Sequence, residues 1–155
     1  MTDHLLHDDY MDAVASALDA AGLTADDGWT EVLHGHQLEG VQTYEANERL
    51  HSGAWPYGVV VTWNQHDGWQ YAAVRRGGAP EQGRELIADL TPPPAVVAEA
   101  VSSLVAGRLD QIPTRWDREV HPGWEHAEAF ADALDEWNTD HAAGTSGGSG
   151  TPTTT

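Results

Sequence analysis

Nine histidines in 155 residues direct attention first to imidazole chemistry. His34 and His36 stand two apart on a presumed strand, where alternation points both side chains to one face. His4 and His7 stand one helical turn apart beside Asp8. Either pair supplies two neutral imidazoles, which are good ligands for zinc or nickel. A closed site needs more ligands than that, and no HExxH pattern, cysteine cluster or acidic EF-hand loop accompanies the pairs. Both are therefore expected to be surface residues, and no metal or other cofactor is expected.

Nucleophilic hydrolysis asks for a serine in a sharp, glycine-flanked turn. Ser52-Gly53 lacks the surrounding pattern, and a set of Ser52 with His51 or His66 and an aspartate is one choice among many. With 25 acidic residues some carboxylates must lie close together, but a working pair needs one member desolvated. Gly77-Gly78 has neither the GxxxxGK nor the GxGxxG spacing that cradles phosphates. The expectation is a chain that is not an enzyme, with a hydrolase of unrecognised site as the contrary reading.

Binding chemistry has better candidates. Seven tryptophans are the most unusual feature of the composition. Trp63 and Trp69 flank a hairpin turn, Trp124 and Trp137 fall on the apolar stripe of a last helix, and Trp29, Trp55 and Trp116 lie near element boundaries or in loops. Most are expected to fill the core. In the alternative, Trp55 and Tyr57 of the GAWPYG loop join a tryptophan-lined groove for a peptide or small ligand. Arg75-Arg76, continued by Arg84 around Gly77-Gly78, is the only basic cluster. It holds an internal carboxylate or anchors an acidic partner, because the guanidinium fork suits both.

Charge narrows the partners. The net charge is −18, and the chain has no lysine and no cysteine. Direct nucleic-acid binding needs clustered basic residues and is not expected; disulfide scaffolds and thiolate metal sites are excluded. Residues 1–28 and 110–141 each carry a net −7, leaving −4 for residues 29–109. Two acidic terminal helices could imitate the phosphate array of DNA and occupy a basic protein. The plainer reading is that an acidic composition keeps the wet faces of helices soluble. The first twelve residues hold four aspartates and no base, unlike a signal peptide, and no apolar run is long enough for a membrane, so a cytoplasmic location is expected.

The elements that must position these residues follow from periodicity. Leu6, Tyr10, Ala13, Val14, Ala17, Leu18 and Ala21 recur at three- and four-residue steps, predicting an amphipathic helix that Gly22 ends. Loose alternation predicts a first hairpin, Trp29 to His36 and Val41 to Ala46, interrupted by Gly35 and Gly40. After a loop from Asn47 to Pro56, YGVVVTWNQHDGWQYAAV predicts a second hairpin. Its apolar stripes, Val59, Val61 and Trp63 against Trp69, Tyr71 and Ala73, share a face when His66-Asp67-Gly68 forms a bulged turn that pairs 65 with 69. Pro94 suits the first turn of a helix that buries Val97, Ala98, Val101, Leu104 and Val105 and ends at Gly107. A last helix is predicted from near Pro122, with Trp124, Ala127, Phe130, Leu134 and Trp137 inward and a frayed carboxyl end beside Asp135 and Glu136.

This order predicts an α+β fold, an antiparallel four-stranded sheet of two hairpins with an N-terminal helix and two C-terminal helices on one face. A single domain is expected over residues 1–141, with a disordered Gly/Ser/Thr tail over 142–155. The segments YMDAVASALDAAGL, VVVTWNQHDGW and LTPPPAVVAEAVSSLVAGR together resemble a family of small uncharacterised domains from streptomycetes and related actinobacteria, over roughly residues 8 to 108. The resemblance implies a compact α+β fold and supplies no catalytic residue. The functional expectation is a cytosolic, non-catalytic domain acting through contacts with another protein. The acidic inhibitor of a nucleic-acid-binding protein stands as its alternative.

Overall fold

The computed structural model describes residues 5–46, 50–87, 89–112 and 123–146, with side chains to residue 140. Helix α1 (Asp8–Ala20) is followed by strands β1 (Asp27–Leu33), β2 (Gln37–Tyr44), β3 (Val59–Asn64), β4 (Gly68–Ala73) and β5 (Arg84–Ile87). Helix α2 (Pro94–Val105), a 3-10 turn (Leu109–Gln111) and helix α3 (Ala127–Ser146) complete the order. The fold is α+β, and its antiparallel sheet has five strands in sequence order rather than four.

The fifth strand is four residues long, with only Leu86 and Ile87 buried, too short for alternation to announce it. It joins β4 through a register shift at Trp69 and Gln70. Across the sheet, Thr30, Gly40, Trp63, Trp69 and Ile87 form one cross-strand row, and Gly28, Gln42, Val61, Tyr71 and Arg84 the next. This face meets the helices. Gly40 lies mid-strand because α1 packs on it: a Cβ there would meet the Met11 side chain, with Sδ at 2.8 Å. The glycine read as an interruption of the hairpin makes room for the Met11 side chain of α1 on the sheet.

Both hairpin turns differ in detail from the sequence expectation. Leu33 pairs with Gln37, so the first turn is His34-Gly35-His36 and both histidines leave the strand. In the second hairpin Trp63 pairs with Trp69 and Asn64 with Gly68, a slip of two residues that keeps the expected face. The cause is local: Asn64 Oδ1 accepts hydrogen bonds from the backbone N–H groups of His66 and Asp67, at 2.8 and 2.7 Å, and folds residues 65–67 into the turn.

Rings dominate the core. Tyr10 lies 5.3–6.2 Å, centroid to centroid, from Trp63, Trp69, Trp124 and Phe130. Its hydroxyl donates to the Pro92 carbonyl at 2.7 Å and accepts from Trp69 Nε1 at 3.2 Å. Burial pushes the Tyr10 phenol far above its ordinary range. Trp63 Nε1 donates to the Leu90 carbonyl and Trp55 Nε1 to the Leu104 carbonyl, so each buried indole has a partner.

Helix α3 belongs to this core through Phe130 and Leu134. It begins at Ala127, not near Pro122, and Trp124 contributes from the segment before it. It continues to Ser146, past both the expected fraying beside Asp135 and Glu136 and the first five residues of the expected tail; residues 147–155 lie outside the described residues. Trp137 Nε1 and Gln65 Nε2 both donate to the His36 carbonyl at 2.8 Å, which fixes α3 over the two hairpin turns. No helix among the described residues is long and apolar enough to cross a membrane.

Candidate functional site

The histidine pairs separate on inspection. His4 lies outside the described residues. His7 is not a surface ligand but a fully buried ring at the amino end of α1, stacked on Trp63 with centroids 5.6 Å apart. Its Nε2–H donates to the Glu39 carbonyl at 2.7 Å, and its Nδ1 has no hydrogen-bond partner. Burial holds its pKa below the ordinary histidine value, against the opposing pull of that carbonyl and of Asp8. His34 and His36 sit in the first turn with ring centroids 6.3 Å apart. Among the described residues no group of three or more histidines or carboxylates is placed to share a metal ion.

The serine and histidine candidates are likewise parted. Ser52 lies in the loop before β3 and His66 in the turn after it, at opposite ends of that strand in chain order. His51 is committed to its own loop, where Nδ1 accepts the Ala54 N–H at 3.1 Å. The acids of the terminal helices, among them Asp12, Asp19, Asp132, Asp135 and Glu136, lie on exposed faces.

Of the remaining candidates, Trp55 is fixed by the end of α2. A helix leaves its last carbonyls without intrahelical donors, and α2 satisfies two of them with the loop at residues 50–58. His51 N–H donates to Val105 at 2.8 Å, and the Trp55 indole donates to Leu104. Trp55 is thereby pinned, only 5% exposed, with its ring edge-on to Tyr71 at 5.9 Å. The loop ends at Gly58, whose carbonyl accepts the Val74 N–H at 3.0 Å, one residue before Arg75. Gly58 has φ +107°, and a Cβ there would stand 2.6 Å from the Tyr44 carbonyl oxygen, so only glycine fits. This contact ties the end of the loop to the residue before Arg75; of the four residues singled out by type, Trp55 lines the cavity described next, and Tyr57, Arg75 and Arg76 do not.

Between the loop and the β4–β5 hairpin lies a cavity of about 230 Å³. Trp55, Tyr71, Ala73 and Leu109 give it apolar walls, and Glu81, Gln82 and Arg84 form its polar part. It occurs where the hairpin arms part: Tyr71 pairs with Arg84 and Val74 bridges Pro80, leaving three residues opposite two. Tyr57 at 48% and Leu109 at 41% are among the few large apolar residues left exposed.

No family model matches the chain, and no curated protein or solved structure is similar to it. The chemistry of the site therefore rests on its own geometry. Arg75, Arg76 and Arg84 are exposed, and none reaches a carboxylate at ion-pair distance among the described residues. The internal carboxylate considered for them is not found there. Leu109, Tyr71, Glu81 and Gln82 were missed by sequence reasoning. Leu109, two residues beyond the helix-ending Gly107, was the one with a signal, a large apolar residue in a polar connection.

Proposed function

We propose that this chain is a non-catalytic, cytosolic protein-interaction domain that engages its partner through the face made by the 50–58 loop, the β4–β5 hairpin and Leu109. The supporting observation is a group of three exposed arginines with no ion-pair partner among the described residues, on the hairpin that also walls an aromatic cavity, in a chain of net charge −18. Arginine and aromatic residues are the types enriched where proteins bind one another, and residues anchored in a pocket carry much of the energy. An arginine left unpaired where carboxylates outnumber basic residues 25 to 7 is available for an external anion.

The test is an unbiased peptide selection on the intact protein, followed by binding to the variant R75E/R76E/R84E. Selected peptides are expected to weaken at least about tenfold on the variant, whose melting temperature stays within a few degrees because all three positions are exposed. Peptides that bind both proteins equally would refute the assignment of the face.

A further inference from the structure

Resting on that reading, we infer that the partner segment is an extended acidic peptide that inserts one apolar side chain, preferably aromatic, between Trp55, Tyr71 and Leu109. Its carboxylates then meet Arg84 and the Arg75-Arg76 turn.

Size decides the anchor. A cavity of about 230 Å³ is smaller than the roughly 300–1,000 Å³ of sites that enclose a whole drug-sized ligand, and it suits one large side chain. The walls decide its chemistry. Trp55 has given its only donor to the Leu104 carbonyl, so it offers the cavity ring surface and no polar contact. A ring entering beside the edge-on Trp55–Tyr71 pair finds the offset and edge-to-face geometries that aromatic groups favour.

Charge decides the flanks. Residues 74–84 hold three arginines and one glutamate, a local net of +2 on a strongly acidic chain. The neighbouring Glu85 is in register with Gln70, which places it on the other face of the sheet from Arg84. Arg84 stands level with Tyr71, while the arginine turn begins beyond Val74. At the rise of a strand that separation is about 10 Å, and an extended peptide covers it in roughly three residues. A small carboxylate filling the cavity would meet Arg84 but also face Glu81; the two further arginines, outside the cavity, favour an occupant whose acids lie along the hairpin. The expected pattern is an apolar residue beside one acid, with a second acid roughly three residues away.

Fluorescence anisotropy with short labelled peptides tests this on the full chain. The parent peptide carries one phenylalanine between glutamates at the stated spacing; the analogues replace phenylalanine by alanine, or each glutamate by glutamine. The alanine analogue is expected to bind at least about tenfold more weakly, as for an anchor residue. Arg84→Gln should weaken the glutamate peptide about fivefold or more and leave the glutamine peptide nearly unchanged, because the pairing is already absent. Leu109→Glu, at an exposed position, should weaken both peptides. Equal binding of the glutamate and glutamine peptides, or of the phenylalanine and alanine peptides, overturns the inference. If the designed peptides fail while peptides from the unbiased selection bind this face, the acidic-anchor inference falls and the interaction face stands. If no selected peptide binds this face, both fall.

Discussion

Acidification should loosen this protein through one ring. His7 is buried neutral against Trp63, with Nε2–H donated to the Glu39 carbonyl and Nδ1 without a donor to accept. Its folded pKa is lowered from 6.5 by burial. As pH falls below 6.5 the unfolded chain takes up a proton that the folded chain refuses. Stability contributed above 6.5 is therefore lost on the way down, at up to about 1.4 kcal/mol per pH unit, until the folded pKa is reached. Glu39 works the other way. Burial and the facing Glu31 raise its carboxyl pKa, so protonation at lower pH relieves a strain and flattens the acid end of the profile. His7→Phe keeps the ring against Trp63, removes the titration and loses one hydrogen bond, about 1 kcal/mol. Chemical denaturation followed by tryptophan fluorescence from pH 8 to pH 5 should find the wild type more stable at the alkaline end. The advantage of the wild type over the variant should shrink as pH falls below 6.5, because only the wild type carries the proton penalty. The Glu39 contribution is common to both proteins and cancels in the difference. Parallel curves would refute the account of His7.

Three further outcomes are expected. Tyr10→Phe strands the Pro92 carbonyl and the Trp69 indole N–H inside the core and should cost about 2 kcal/mol, measured by urea denaturation; a neutral result would show that neither group depends on the hydroxyl. Gly58→Ala should destabilise by about 2–4 kcal/mol, because the positive φ and the Tyr44 carbonyl both resist a Cβ, and it should weaken selected peptides by displacing Val74 and the arginine turn; wild-type stability would contradict the stated geometry. Tryptophan emission should be mostly blue-shifted and protected from acrylamide, since Trp55, Trp63 and Trp69 are buried, and Trp29→Phe should reduce the readily quenched component, as Trp29 is 45% exposed. Emission that is mainly red and freely quenched would place the indoles outside the core.

Elements whose burial is regular were legible in the sequence. Tyr10, Val14 and Leu18 of the α1 stripe and the Val97–Leu104 stripe of α2 are buried, while Ala13 and Ala17 are half-buried and Met11, outside the stripe, is buried. The paired apolar faces of β3 and β4 likewise meet the helices. Illegible were the features set by single side-chain contacts. The register of the second hairpin turns on Asn64 Oδ1, and the first turn holds His34 at φ 56°, a conformation no spacing rule assigns to histidine. Gly40 reads as a break until Met11 is known to lie over it. Of the candidate site, Trp55, Tyr57, Arg75 and Arg76 were visible by residue type. The tie between their loop and the hairpin was not, because it is a backbone bond between Gly58 and Val74 that carries no side-chain signature.

The ring contacts of Tyr10 join the first helix to the last, so order of synthesis matters. Until α3 has been made, Phe130 is missing and the surfaces of Tyr10 and Trp63 that it covers remain open. Between the synthesis of Trp63 and that of Phe130 the nascent chain carries this aromatic surface unsealed. Closure is a late event with large loop entropy against it, and during that interval the growing polypeptide is at its most dependent on chaperones.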